Sequence, residues 1–198
     1  MNIFFTNSDF KLCAADHTCI HVRKMIVEYA QLLSTAHRVL DGRMIYKFSK
    51  TGRKQKHWEH PTLDQVLYKA THVNHPSAVW VRDSYEHYVW LYHLFIELNA
   101  LYTEYTGKQH KSSELIHVLA RLPNNIKDSG WLSDPYLAIN TKEYPAVIPY
   151  MECDDHTIPY KMYVNEKYKT WKQKPRMKNE IKWYGEPPDW FDQSILFQ

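Results

Sequence analysis

The stretch from Asp16 to Leu33, DHTCIHVRKMIVEYAQLL, constrains the fold more than any other, because it is apolar around most of a helix's circumference. Met25, Tyr29, Leu32 and Ala36 recur at helical spacing as one apolar wall, widened by Val22, Ile26 and Leu33. The opposite side should be charged and wet, yet it carries Val27, Ala30 and Ser34, with Arg23 as its one charge. Polar groups crowd a narrow stripe instead: His17, His21, Lys24, Glu28 and Gln31. A helix covered on most sides must turn that ridge toward an internal cleft, where charges persist only when paired or used. The plainer alternative is an i,i+4 pair of Lys24 and Glu28 pointing at water, worth about 0.3 kcal/mol, with the histidines as partly exposed spacers.

The remaining chain reads as more helices joined by long loops. MNIFF is apolar and β-prone and is expected to lie extended against the body. The first long helix should run from about Ala14 to Leu40, with Gly42 after Asp41 as its stop. Residues 43–60 read as a basic loop, hairpin or arm, and Pro61 to Ala70 as a short helix. A second long helix follows, with Pro76 in its first turn and Gly107 beyond its end; Leu91, Phe95, Leu98 and Tyr102 mark its buried face, beside Leu94 and Leu101. KSSELIHVLARLP predicts another short helix, helix signals fade from Pro123 to Pro159, and a basic helix spans about Pro159 to Lys174. Residues 175–198 form an aromatic-basic tail. The expected fold is mainly α, one compact domain over residues 1–198 with a short N-terminal extended segment and long loops.

Net charge is only +3, but its distribution is uneven. Six basic residues and no acid lie between Arg43 and Trp58, and eight basic residues against two acids lie between Lys161 and Lys182, interleaved with Tyr163, Tyr168 and Trp171. Basic runs mixed with flat rings suit phosphate neutralisation and base stacking; the alternative is two solvated surfaces. The apolar run VWLYHLFIEL is too short to cross a bilayer, and the N-terminus lacks the basic region of a signal peptide. Three cysteines without a framework fit free thiols in a reducing cytoplasm, so a soluble cytoplasmic protein is expected.

Two patterns invite a metal reading. The strings HWEHPTL and HVNHPSA echo one another, but proline followed by a small hydroxyl residue is a common helix entrance. Cys13, His17 and His21, each four residues apart, could hold zinc with one outside ligand. Histidines at i,i+4 without a His-Glu-x-x-His carboxylate are weak evidence, so neither metal nor cofactor is expected.

The segment AADHTCIHVRKMIVEYAQ resembles a helix of the phage pyrimidine-dimer DNA glycosylases, the bacteriophage endonuclease V family. In that helix an Ala-Asp, a His and, seven residues after the His, a Glu recur; His21 and Glu28 stand at those positions. The resemblance resumes over the second long helix and in the tail at KWYG, and covers about half the chain; related uncharacterised phage proteins share the pattern. It implies an amine that attacks C1′ of a nucleotide, displaces the base and forms a Schiff base, assisted by Glu28. In the family that amine is the chain's α-amino group after removal of the initiator Met. Here Asn2 follows Met1 where the family has a smaller residue, so Met1 itself, Asn2 or Lys24 would supply the amine. Gln31 stands where the family has a DNA-contacting arginine.

The resulting expectation is a DNA glycosylase with AP-lyase activity toward a damaged or modified base in duplex DNA, with an extrahelical base. Glu28, Lys24, His21, Met1 and Asn2 would form the catalytic group. His17, Arg23, Gln31, Lys50, Arg53, Lys54, Lys56, Trp183 and Tyr184 would hold the nucleic acid. Asn74 and His75 stand at a helix N-terminus suited to phosphate, although Asn74 also suits plain helix capping, and Arg82 would reach the same pocket or pair with Glu86. The rivals are a non-catalytic nucleic-acid-binding protein and an enzyme acting on nucleotides by another reaction. The sequence leaves the oligomeric state open.

Overall fold

The computed structural model of the chain describes residues 1–174 and 181–197. The first long helix is two helices, α1 (Phe10–Ala15) and α2 (Cys19–Leu40). The break is a capping event. Thr18 is extended, its hydroxyl accepts the His21 N–H, and Asp16 is held by the chain's C-terminal part. The indole N–H groups of Trp183 and Trp190 donate to the Asp16 carbonyl (2.9 Å) and carboxylate (3.1 Å). At its other end α2 stops at Asp41 in right-handed conformation, so Gly42 is not the left-handed stop expected of it. Glycine is needed there for space: a Cβ would lie 2.4 Å from the Arg38 carbonyl oxygen and 2.7 Å from that of Glu59.

Gly42 leads straight into an antiparallel hairpin, β1 (Arg43–Phe48) and β2 (Lys54–Glu59), with Arg43 opposite Glu59 and Phe48 opposite Lys54. The basic segment is therefore an ordered ribbon. The following residues, expected as a helix from Pro61 to Ala70, form turns instead. Their carbonyls are held by Arg38, which is 2% exposed and uses all five of its N–H donors. It donates to the carbonyls of Trp58, Asp64, Leu67 and Tyr68 at 2.7–2.9 Å and to the Asp64 carboxylate. A helix would have consumed several of those carbonyls internally.

The second long helix also divides, into α3 (Pro76–Asp83) and α4 (Tyr85–Thr106). Ser84 between them is extended, and its hydroxyl caps α4 by accepting the His87 N–H at 3.3 Å. Pro76 and Gly107 take their expected places, Gly107 in the left-handed conformation at φ 66°. Leu91, Leu94, Phe95 and Leu98 are fully buried, whereas Leu101 and Tyr102 are half-buried. A 3₁₀ turn (Lys111–Leu115) runs into the short α5 (Ile116–Leu119), and the next α-helix is α6 (Thr157–Lys172).

The main core joins Ile3, Phe4 and Phe5 of the N-terminal segment to α2, α3 and α4, with Tyr144 and Tyr160. On its other face α6 supplies Val164 and Tyr168 to a smaller cluster with Ile181, Trp183, Phe191 and Ile195. The expected aromatic tail thus gives Ile181, Trp183, Phe191 and Ile195 to a core; residues 175–180 and 198 of it lie outside the described residues. Trp183, 7% exposed, has no free ring face for a base, and Tyr184 is stacked on Tyr105 at 4.9 Å. The architecture is mainly α, with one two-stranded sheet among the described residues. No helix among them is long and apolar enough to cross a membrane.

Candidate functional site

The N-terminal segment crosses α2 beside Glu28 and is clamped there by Asn2. Its backbone N–H donates to the Glu28 carboxylate (3.3 Å), and its side chain donates to the Ala138 carbonyl (3.1 Å). Its amide oxygen accepts from the Ile3 N–H (2.9 Å) and the Tyr160 hydroxyl (3.1 Å). Asn2 is thus a positioning residue that ties the chain start to α6 and to the segment around Ala138. The Met1 side chain is packed, 3% exposed, and its ammonium lies 4.0 Å from Glu28 Oε2. Lys24 Nζ lies 3.4 Å from the other oxygen, Oε1. The carboxylate, 16% exposed, sits between two cations.

Helix α6 brings a third cation. Tyr163, Lys167 and Trp171 follow one another at i,i+4 and line one side of the same cleft, whose volume is about 290 Å³. Lys167 Nζ donates to the Tyr163 hydroxyl (3.1 Å) and lies 5.1 Å from the centres of the Tyr163 and Trp171 rings. The rings of Phe4 and Tyr144 are each 5.9 Å away. Burial, and then the charge of Lys24, lower its pKa to about 8, with Glu143 and Glu28 pulling upward. The ring faces offset part of the burial cost of its charged form. Lys24, at 51% exposure, lacks the burial that its use as a nucleophile requires. Lys167 has that burial, and sequence reasoning assigned it only to a basic run. A signal was present: a lysine with aromatic residues four before and four after it on one helix face.

The two histidines of the ridge do not reach the cleft. His17 precedes α2 and is 4% exposed; its Nδ1–H donates to the Cys13 carbonyl (2.7 Å), and Nε2 accepts from the Tyr29 hydroxyl (3.1 Å). Burial pushes it down to about 4, so it is neutral and cannot serve phosphate. His21 is 1% exposed, meets the Tyr168 hydroxyl at 2.6 Å, and packs against Phe4 and Trp171. It supports two walls of the cleft from behind. Exposed Arg23 and half-buried Gln31 remain on the outside of α2.

At the start of α3 the cap is His75, whose Nδ1 accepts the Ser77 N–H (3.2 Å); Asn74 is exposed beside it. Burial, the N-terminal ammonium and His72 lower the His75 pKa while Glu28 raises it, which puts this helix end in the field of the cleft. Arg82 pairs with neither pocket nor Glu86; it donates to the carbonyls of Val73 (2.6 Å) and Ala78 (2.8 Å) and holds the turn before α3. Lys50, Arg53, Lys54 and Lys56 are all exposed on the hairpin.

A larger depression of about 630 Å³ lies between α3, α4 and the segment around Ser133. Its centre is His87, whose Nδ1–H donates to the Trp80 carbonyl (2.8 Å) while Nε2 accepts from the hydroxyl and N–H of Ser133 (2.8 and 3.3 Å). Every polar atom of that imidazole is spent on tying the loop to the helices. The smaller cleft, where the Met1, Lys24 and Lys167 amines converge with the carboxylates of Glu28 and Glu143, is the stronger site.

Metal chemistry finds little footing. Cys13 Sγ donates to the Phe4 carbonyl (3.1 Å), and the rings of His17 and His21 have separate partners, so that trio does not converge. Among the described residues, ligand atoms of His37, Asp41 and His60 do fall within 4.8 Å of one another. There, His60 Nδ1 accepts the N–H groups of Thr62 and Leu63, which puts the ring proton on Nε2, facing Asp41 at 4.0 Å. A cation would need a lone pair where that proton sits, and Asp41 already accepts the N–H groups of Asn124 and Asn125. Chelators are therefore expected to leave the melting temperature unchanged; stoichiometric zinc in the purified protein would contradict this.

No family model matches the chain, and neither a curated protein nor a solved structure matches it.

Proposed function

We propose that the chain is a DNA glycosylase with AP-lyase activity, acting on a damaged or modified base in duplex DNA. The observation that carries this reading is the Met1 ammonium held 4.0 Å from the Glu28 carboxylate inside a cleft walled by aromatic rings. In its neutral form that amine attacks C1′ of the nucleotide. The N–C1′ bond forms, the glycosidic bond breaks, and the base leaves as an anion that takes up a proton. The sugar ring opens to an iminium; loss of a C2′ proton then expels the 3′ phosphate and cuts the strand. Glu28 accepts the amine's proton and stabilises positive charge as it builds on the sugar. Lys167 and Lys24 flank it as cations for the adjoining phosphates, and Asn2 keeps the chain start in register. The hairpin root lies about 18 Å further along α2, within the footprint of one duplex.

Borohydride trapping on duplex DNA with an abasic site tests the reading. The expected result is a covalent adduct that survives Lys24→Met and Lys167→Met and is lost when the α-amino group is acetylated. An adduct lost only in Lys167→Met would move the nucleophile to α6. If Lys167 serves as a phosphate cation, wild-type affinity should fall as pH rises through about 8, and Lys167→Arg should abolish that fall. No adduct in the wild-type protein on any damaged or abasic duplex would defeat the proposal and leave the two rivals, a non-catalytic nucleic-acid-binding protein and an enzyme acting on nucleotides by another reaction.

A further inference from the structure

The β1–β2 ribbon has two unlike faces. Cross-strand pairs share a face, so Met44 with Trp58, Tyr46 with Lys56 and Phe48 with Lys54 form one, and Arg43 with Glu59, Ile45 with His57 and Lys47 with Gln55 the other. The second face is partly neutralised by an ion pair of Lys47 and Glu59 at 2.8 Å. On the first, neither Lys54 nor Lys56 has an acidic partner among the described residues. Lys54 Nζ sits 4.0 Å over the Tyr46 ring. Phe48 is 71% exposed, Tyr46 50% and Met44 42%, a row of apolar groups left facing water.

The ribbon is stiff enough to present that row. Its tip is closed by the Ser49 N–H donating to the Arg53 carbonyl and the Gly52 N–H to the Ser49 carbonyl, both at 2.9 Å. Gly52 takes the left-handed conformation that the turn requires, φ 77°. Its root is fixed by Arg38 and by the tight approach at Gly42.

We propose that this face is a binding track for an unpaired DNA strand. Each of its three rows carries one ring (Trp58, Tyr46, Phe48), and two carry a lysine beside the ring. Rows two residues apart along a strand repeat at about 6.8 Å. That is twice the rise of about 3.4 Å per base along a duplex strand, so bases can lie on successive rings only when the strand is unstacked and drawn out. The lysines then meet the phosphates between them. An acidic protein surface would satisfy the lysines but would leave the exposed rings of Tyr46 and Phe48, two residues apart on one strand, unused. The choice of DNA as the polymer rests on the glycosylase reading, and the track would grip strand opened near a lesion.

The test uses the full-length protein and fluorescence anisotropy with a short oligothymidylate and a blunt duplex of equal length. Wild-type protein is expected to bind the oligothymidylate. Phe48→Ser and Tyr46→Ser should each weaken that binding about 10-fold without changing its salt dependence. Lys54→Gln and Lys56→Gln should each reduce the slope of log affinity against log salt by about 0.7. Blunt-duplex binding and borohydride trapping should persist in the two ring variants, which separates failure of the track from failure of the cleft chemistry. Oligothymidylate binding unaffected by the ring substitutions, or absent in wild type, would overturn the proposal. So would a dimer that Phe48→Ser dissolves, since the face would then be a contact between copies.

Discussion

Replacing Arg38 with methionine is expected to lower the unfolding free energy by about 3 kcal/mol, measured by urea denaturation. Methionine fills a similar volume but offers no donors, so the carbonyls of Trp58, Asp64, Leu67 and Tyr68 would lose their shared partner at once. Breaking a buried ion pair by removing one member typically costs about 3–5 kcal/mol. The lower end applies here, because the Asp64 side chain is 33% exposed and its charge can be rehydrated. Arg38→Lys should fall between methionine and wild type: it keeps the charge but has three donors for five acceptors. Amide exchange should quicken first in residues 58–68, the segment the guanidinium organises. A loss under about 1 kcal/mol in the methionine variant would mean that water replaces the guanidinium and that the loop holds itself.

That arginine also shows where sequence reasoning reaches its limit. Pro61 to Ala70 has the composition of a short helix, yet its carbonyls are engaged by a residue more than twenty positions earlier, which local propensity cannot register. The helical pattern of α2 and the outer punctuation of α3 and α4, Pro76 and Gly107, were legible because they depend on local spacing and backbone conformation. The interruptions at Thr18 and Ser84 were harder, since a single hydroxyl cap looks like any polar residue in a helix until its neighbours are placed. Within the site, the clustering of Lys24 and Glu28 on one face followed from periodicity. His17 and His21 shared the stripe by the same count, but Phe4, Tyr29 and Tyr168, from three parts of the chain, cover them. Lys167 joins Glu28 across more than a hundred residues, so only the folded chain brings it to the cleft.

Glu28→Gln is expected to reduce strand cleavage at a damaged or abasic site at least about 10²-fold, which is roughly 3 kcal/mol of transition-state stabilisation. The glutamine oxygen can still accept the Asn2 N–H, so the chain start should stay in place. What disappears is the negative charge between the Met1 ammonium and Lys24. Without it the amine has no acceptor for its proton, and the cationic sugar meets a neutral amide among positive groups. Duplex affinity should hold or rise slightly, because a negative charge facing the phosphates is gone; this separates a catalytic loss from a binding loss. Stability should change by less than about 1 kcal/mol, since the exposed end of Lys24 can return to water. Equal cleavage by the variant and the wild type would reduce Glu28 to a partner of Lys24 and the chain start. Weakened DNA binding with unchanged turnover would make the cleft a docking site for phosphate and base, with its amine and carboxylate only shaping the floor.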